Sequence, residues 1–296
     1  MTDGIVNVFK PPGLTSHDVV SRIRRIYGTR KAGHSGTLDP DAAGVLPVFI
    51  GNATRLLEYA ATDRKYYRAE GLLGIRTETG DTSGKVLEEK PVPDISTEAF
   101  ETCLTGFRGT IMQVPPMYSA IKVKGKKLYE YARQGIAVER AARPVEIFKL
   151  ELVSFQLPRF TLDVDCSKGT YVRTLLEDIG ASLGTCATLE RLVRTRAGKF
   201  SAEDAHTLEE IADSPEQMLL PMETAIAEMP ALQVNELQAF RITCGVQTTL
   251  KGTLPGKYSL WYRNQFLGVA RVEDEKVIPE KIIFPVARPE EPADVK

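Results

Sequence analysis

Residues 160–167, FTLDVDCS, alternate strictly between apolar and polar side chains. Successive side chains of a strand point to opposite faces. Phe160, Leu162, Val164 and Cys166 therefore share one face, and Thr161, Asp163, Asp165 and Ser167 the other. Such a strand needs a sheet with one covered side. KGTY then turns the chain into a helical pattern, VRTLLEDIGASLG. Nearer the N-terminus, KPPG breaks a short strand, GIVNVF. Ser16 or Thr15 can cap the helix that follows, in which Val19, Val20, Ile23, Ile26 and Tyr27 fall on one face and Gly28 is the stop. Strands are expected at VLPVFIG and KYYRAEGLLG, helices at NATRLLEYAA, STEAFETCLTGFRG and KLYEYARQG, and a basic hairpin within QVPPMYSAIKVKGKK. Strands and helices mixed without a regular βαβ rhythm predict an α+β domain with a mostly antiparallel sheet.

The stretch 201–230 holds eight carboxylates, no Lys or Arg, and Pro215, Pro221 and Pro230. From about Leu232 a short helix, NELQAFRITCG, precedes several short strands. A boundary near residue 230 is expected, with one domain over 1–230 and a small β module over 231–296, near the low end of independent domain size. No run of eighteen apolar residues exists, so no membrane span is expected. The opening MTDGIVNVFKPPG lacks a signal-peptide pattern. Cys103, Cys166, Cys186 and Cys244 form no CxxC pair, and His17, His34 and His206 are scattered. These spacings argue against a disulfide framework or a metal site and for a reducing cytoplasm. Residues 1–200 carry 29 Lys+Arg against 23 Asp+Glu, and residues 201–296 carry 9 against 16. A basic front with an acidic tail suits a polyanionic partner for the front.

One carboxylate stands apart. In GHSGTLDPDAAGVLP, residues 33–47, Asp39 sits among Gly, Pro and Ala just before an apolar run. Gly36 and Gly44 leave the backbone open to close approach. Asp39 can thus be a base, a metal ligand or a covalent nucleophile. Asp41 lies two residues on, but no His/Asp/Glu set surrounds the pair, which disfavours a metal. GHSGT falls short of a nucleophile elbow, because Thr37 stands where its second Gly belongs. The same residues also fit a plain turn opened by Asp39–Pro40.

The wider pattern separates these readings. KAGHSGTLDPDAAGVLPV resembles the active-site signature of the TruB family of bacterial tRNA pseudouridine-55 synthases, whose usual form is close to KxGHxGTLDPxAxGVLPV. NVFKPPGLTSHDVV is similar to the family's KPxGxTS motif, and KYYRAEGLLGIRTETGDTSG to its KxYxxxxxLGxxTxTxDxxG segment. VPPMYSAIKVKGKKLYEYARQG, CSKGTYVRTLLEDIGASLG and LERLVRTRAGKF resemble three further blocks. The six follow family order over roughly residues 4–200, which makes the resemblance specific. Ser35 stands where Thr is commoner.

The resemblance implies a curved, mixed sheet flanked by helices, a central cleft holding Asp39, and a small C-terminal β-barrel of PUA type. It makes Asp39 the catalytic aspartate, Arg173 its basic partner, and Tyr67 the residue that packs against the target base. It places His34 against the T loop, and Tyr171 and Leu192 around the uracil. The reaction breaks the N1–C1′ bond of uridine and rejoins the base through C5, so no cofactor is implied. A neighbouring Arg173 would keep Asp39 ionised. From the residues alone, Arg173 reads as a solvated helix residue, Tyr67 as a core tyrosine, and Tyr171 and Leu192 as core. RIRRIYGTRK, KVKGKK and RLVRTRAGK are candidate phosphate contacts, with Lys10, Lys31, Lys122 and Lys168 as individual candidates. The partner implied is the T-arm of tRNA, bound by a monomer in the cytoplasm without metal. Two other readings keep the same surface: a tRNA-folding chaperone without essential catalysis, and a synthase acting on another RNA.

Overall fold

The computed structural model describes residues 2–60 and 64–287. The chain opens with β1 (Gly4–Lys10), α1 (Ser16–Ile26), β2 (Ala32–His34) and β3 (Ala43–Ile50). Thr15 caps α1 and shares a capping box with Asp18, while Val19, Val20 and Ile23 are buried. The single helix expected over NATRLLEYAA is instead a 3₁₀ turn (Gly51–Leu56) running into the short α2 (Leu57–Ala60). Next come β4 (Arg64–Leu73), the hairpin of β5 (Ile75–Thr77) and β6 (Val86–Glu89), α3 (Thr97–Thr105) and β7 (Gly109–Gln113). The basic hairpin is β8 (Lys122–Val123) and β9 (Lys126–Lys127), followed by α4 (Leu128–Ala132). The long β10 (Arg143–Gln156) and β11 (Arg159–Ser167) lead into α5 (Val172–Ser182), β12 (Ala187–Ala197), β13 (Phe200–Ser201) and α6 (Leu208–Asp213).

These strands form a nine-stranded sheet in the order β1-β3-β12-β4-β11-β10-β7, with β2 on β3 and β13 on β12. Its ladders are antiparallel except for β3 with β12. The alternation in β11 is realised: Phe160, Leu162, Val164 and Cys166 all join the main core. Asp165, expected on the wet face, is also buried, because Arg64 lies over it with two hydrogen bonds at 3.3 and 2.7 Å. Every residue of β3 is buried, since both its faces are covered. Leu46, Val48 and Ile50 face the main core, whereas Val45 and Phe49 face a second cluster.

That second cluster joins the sheet to the C-terminal part of the chain. There β14 (Ala231–Val234), α7 (Glu236–Thr243), β15 (Thr248–Thr249), β16 (Gly256–Tyr262), β17 (Gln265–Glu273) and β18 (Lys276–Ile282) form a five-stranded sheet in the order β14-β16-β17-β18-β15. It has its own core of Val234, Ile242, Leu260, Leu267 and Val272. No ladder among the described residues joins β14 to β15, and the sheet is a curled half-barrel. Residues 288–296 of the expected module lie outside the described residues. Phe266, Val269 and Ile283 of this part pack with Phe49 and Leu56 of the first. No helix among the described residues is long and apolar enough to cross a membrane.

Candidate active site

The Asp39 loop is clamped to the connection between β1 and α1. Ser16 Oγ donates to the Leu38 carbonyl at 3.0 Å and accepts from the Leu38 N–H at 2.9 Å. The Gly13 N–H donates to the Pro40 carbonyl at 2.9 Å. Lys10, the last residue of β1, is fully buried, and its Nζ donates to the carbonyls of Pro11, Leu14 and Pro40 at 2.9, 2.6 and 2.8 Å. Burial pushes its pKa down to about 8, against the pull of Asp41 and Asp39. This corrects the reading of Lys10 as a phosphate contact: its ammonium is enclosed and already bonded to the loop it braces.

Arg173 lies in the first turn of α5 and is only 4% exposed, which removes the solvated-helix reading. Its Nε is 3.0 Å from Asp39 Oδ2. The same guanidinium donates to the carbonyls of Thr79 and Tyr118, and lies 3.9 Å from Asp81 Oδ2. Two segments distant in sequence, around Thr79–Asp81 and at Tyr118, thus hold one cation against Asp39. The Asp39 side chain is 42% exposed and lines a cavity. Burial raises the carboxyl pKa above its ordinary value. Arg173 pulls it down, as expected from the sequence, but burial and the nearby Asp81 outweigh that pull.

The cavity measures about 410 Å³, within the ordinary range for a small-ligand site. Asp39, Tyr67, Lys168, Tyr171, Arg173 and Leu192 all line it, so six of the residues singled out in the sequence converge. Tyr67 comes from β4, and burial pushes its phenol pKa up while the Arg194 guanidinium opposes. Tyr171 caps α5 and is tied to Gln113 of β7 by two hydrogen bonds, at 2.8 and 3.1 Å. Leu192 projects from β12 with 8% exposure. His34 stands on β2 outside the cavity lining; its Nδ1 accepts from the Gly36 N–H at 3.3 Å, and burial lowers its pKa. Lys31 and Lys122 are exposed away from that lining, and Lys168 is exposed on the cavity rim.

Arg194, in the cavity wall, escaped the sequence reading, which counted RLVRTRAGK as phosphate contacts. Arg191 and Arg196 are exposed, but Arg194 is 1% exposed. Its guanidinium donates to the carbonyls of Val45, Thr37 and Gly36 at 2.7, 3.4 and 3.1 Å. Gly44 (φ +107°) permits the close crossing of β3 and β12, since a Cβ there would lie 2.2 Å from the Arg194 carbonyl oxygen. The available signal was spacing: Arg194 follows Leu192 by two and so shares its face. The buried Lys65 and Ser119 also line the cavity.

An ionisable carboxylate fixed against a buried guanidinium, at the foot of an aromatic-walled cavity, is equipped to react with one small, flat group. The family model for the TruB family pseudouridylate synthase N-terminal domain matches residues 24–172, and that for the tRNA pseudouridylate synthase B C-terminal domain matches 173–227. The chain belongs to the TruB family of pseudouridine synthases, and is thus an isomerase. The junction between the two matches falls inside α5, so both supply the site: Asp39 and Tyr67 from the first, Arg173 and Leu192 from the second. The tRNA pseudouridine synthase B of Heliobacterium modesticaldum is 46% identical over 292 residues, covering 95% of each chain. That of Moorella thermoacetica is 50% identical over 242 residues, covering 79% of each. Among solved structures, a Cbf5-Nop10-Gar1 complex matches with a TM-score of 0.74 at 26% identity, over 95% of this chain and 85% of that one.

Proposed function

We propose that this enzyme converts uridine 55 in the T loop of tRNA into pseudouridine, with Asp39 as the reacting carboxylate. One observation carries the assignment to Asp39: its carboxylate meets the buried Arg173 at 3.0 Å and opens into the cavity. The uridine leaves its stack and enters between Tyr67, Tyr171 and Leu192. Stacking on an aromatic ring offsets part of the flipping cost, about 1–3 kcal/mol per base. Asp39 then attacks C1′ or C6, or removes the 2′ proton. In each route the N1–C1′ bond breaks, the base turns, and a C5–C1′ bond forms. The C5 proton is lost and N1 gains one, so the product is an isomer and no redox partner is needed. In this reading His34, at the root of the loop, holds the opened T loop, and Lys31, Lys122 and Lys168 meet phosphates.

The tRNA substrate is supported by the names of the relatives at 46% and 50% identity, which cover most of the chain. We read residues 1–230 as the catalytic domain and 231–296 as a PUA-like RNA-binding module; the separate five-stranded sheet with its own core supports that division. The enzyme acts as a monomer in the cytoplasm. The test is incubation with an unmodified tRNA transcript, without added metal or cofactor, and mapping of modified uridines. Pseudouridine at position 55 is expected from the wild type and none from Asp39→Asn, with tRNA binding retained. An Asp39→Asn protein that still forms pseudouridine would sink the assignment. Modification confined to another RNA would favour the other-substrate reading.

A further inference from the structure

Tyr171 stands at the N-cap of α5, and its side chain caps nothing. The backbone there is held from another element. In β7, Ile111 and Gln113 take the inward positions while Thr110 and Met112 are exposed. Gln113 is therefore a polar side chain on a core-facing register, and it is only 2% exposed. Its amide oxygen accepts from the Tyr171 N–H at 2.8 Å, and its amide nitrogen donates to the Tyr171 carbonyl at 3.1 Å. That carbonyl also accepts from the Leu175 N–H at 3.0 Å, at the start of the helix. One side chain thus grips both backbone groups of one residue, which takes a donor and an acceptor side by side, as a carboxamide has. Two side chains of the site leave the backbone at this point: Tyr171 lines the cavity, and Arg173, two residues on, meets Asp39 at 3.0 Å.

We infer that Gln113 is a positioning residue for the reaction: by gripping the Tyr171 backbone it fixes the entry of α5, and with it where Arg173 meets Asp39 and where the Tyr171 ring stands beside the base. This rests on the reading of Asp39 above. The far end of Arg173 is held by the Thr79 and Tyr118 carbonyls, and Gln113 anchors the backbone end. With both ends fixed, the guanidinium has one place to stand. Gln113 itself lies outside the cavity lining, so it acts on the reaction through Tyr171 and Arg173 and not by touching the base. Displacing a catalytic group by about 1 Å from a distant change can cost on the order of 10²-fold in rate.

The experiment compares wild type, Gln113→Met and Gln113→Asn in single-turnover modification of an unmodified tRNA transcript across pH, alongside tRNA binding and thermal melts. Gln113→Met keeps the length and removes both hydrogen bonds. Gln113→Asn keeps the amide but sets it one methylene short of the backbone it must span, and it carries the test if Gln113→Met does not fold. Asn7→Leu is the control, since Asn7 of β1 is also 2% exposed and its amide donates to the Ser201 carbonyl of β13 at 2.9 Å. Both Gln113 variants should slow the step about 10-fold or more, with tRNA affinity within about twofold of wild type. Asp39 is faced by Arg173 and Lys10, which lower its pKa, and by Asp81, which raises it. A displaced Arg173 lowers it less, so the acid inflection of kcat/KM should move to higher pH in the Gln113 variants. Asn7→Leu should lower the melt and leave rate and inflection alone. A wild-type rate or an unmoved inflection in a folded Gln113 variant overturns the inference, as does an equal rate loss in Asn7→Leu or a loss that lies wholly in binding. A wild type that leaves the transcript unmodified, or an Asp39→Asn protein that still reacts, instead sinks the functional reading beneath it, so the two failures are distinct.

Discussion

Positive charge is handled in opposite ways around Asp39 and at the seam with the C-terminal sheet. Around Asp39, Lys10, Arg173 and Arg194 are buried, and their bonds go mostly to backbone carbonyls: three for Lys10, three for Arg194 and two for Arg173. Carbonyls satisfy the donors without cancelling the charge. At the seam, Lys257 and Arg271 pair with Glu280 at 3.4 and 3.2 Å, and Lys281 with Glu58 at 2.7 Å, all partly exposed. There each cation meets an anion and water. The first arrangement maintains a positive field around one carboxylate; in the second, Lys257, Arg271 and Glu280 pair within the C-terminal sheet and Lys281–Glu58 crosses to the first part.

The largest effect should come from the carboxylate those cations surround. Asp39→Asn keeps the shape and removes the charge, and pseudouridine formation should fall by at least about 10³-fold in a single-turnover assay. Binding of tRNA, read by filter retention, should survive, because one fewer anion in a positive pocket does not repel phosphate. Loss of binding together with activity would mean that the pocket is held together by the pair rather than serving the reaction.

Removing a carbonyl-bonded cation should damage the fold itself. Arg194→Met leaves the Gly36, Thr37 and Val45 carbonyls without this donor, and Lys10→Met does the same to Pro11, Leu14 and Pro40. Each should cost roughly 2–4 kcal/mol in urea unfolding, the scale for orphaned buried groups. A loss below about 1 kcal/mol, the surface-pair scale, would erase the contrast between the two regions.

The acid limb of the activity profile comes next. Burial and Asp81 hold the Asp39 pKa above its ordinary value of 3.8. With Asp39 in its proposed role the reacting form is the carboxylate, so activity is expected to be full above that raised pKa and lost as pH falls through it. Asp81→Asn removes a negative charge that disfavours ionised Asp39, so the inflection in kcat/KM should move to lower pH. Movement to higher pH would show that Asp81 acts chiefly by steadying Arg173, from which it lies 3.9 Å away.

Much of this was legible in the sequence, for identifiable reasons. The period-two pattern of 160–167 located β11 and its buried face, because a strand's two faces follow directly from residue order. Asp39 stood out because small residues surround it, and the family blocks brought Arg173, Tyr67, Tyr171 and Leu192 to it. The buried cations were misjudged. Lys10 and Arg194 sit in basic or turn-like stretches that look solvent-facing, and only the tertiary contacts supply the carbonyls that make their burial affordable.

The smallest expected effect is at the seam, where it tests the comparison from its weaker side. Glu280 takes a hydrogen bond from the Tyr59 hydroxyl at 3.1 Å besides its two cations, so Glu280→Gln removes one charge and loosens three contacts at once. Its side chain is 21% exposed and that of Lys257 54%, so water and salt already screen the pairs. The apolar contact beneath, from Phe266 and Ile283 to Phe49 and Leu56, is untouched by the change. Glu280→Gln should therefore cost only about 0.2–1 kcal/mol in urea unfolding at low salt, and less as salt rises. Pseudouridine formation should be unaltered. A larger loss, or one insensitive to salt, would show that Glu280 works as a buried charge, and the seam would then obey the same rule as the site.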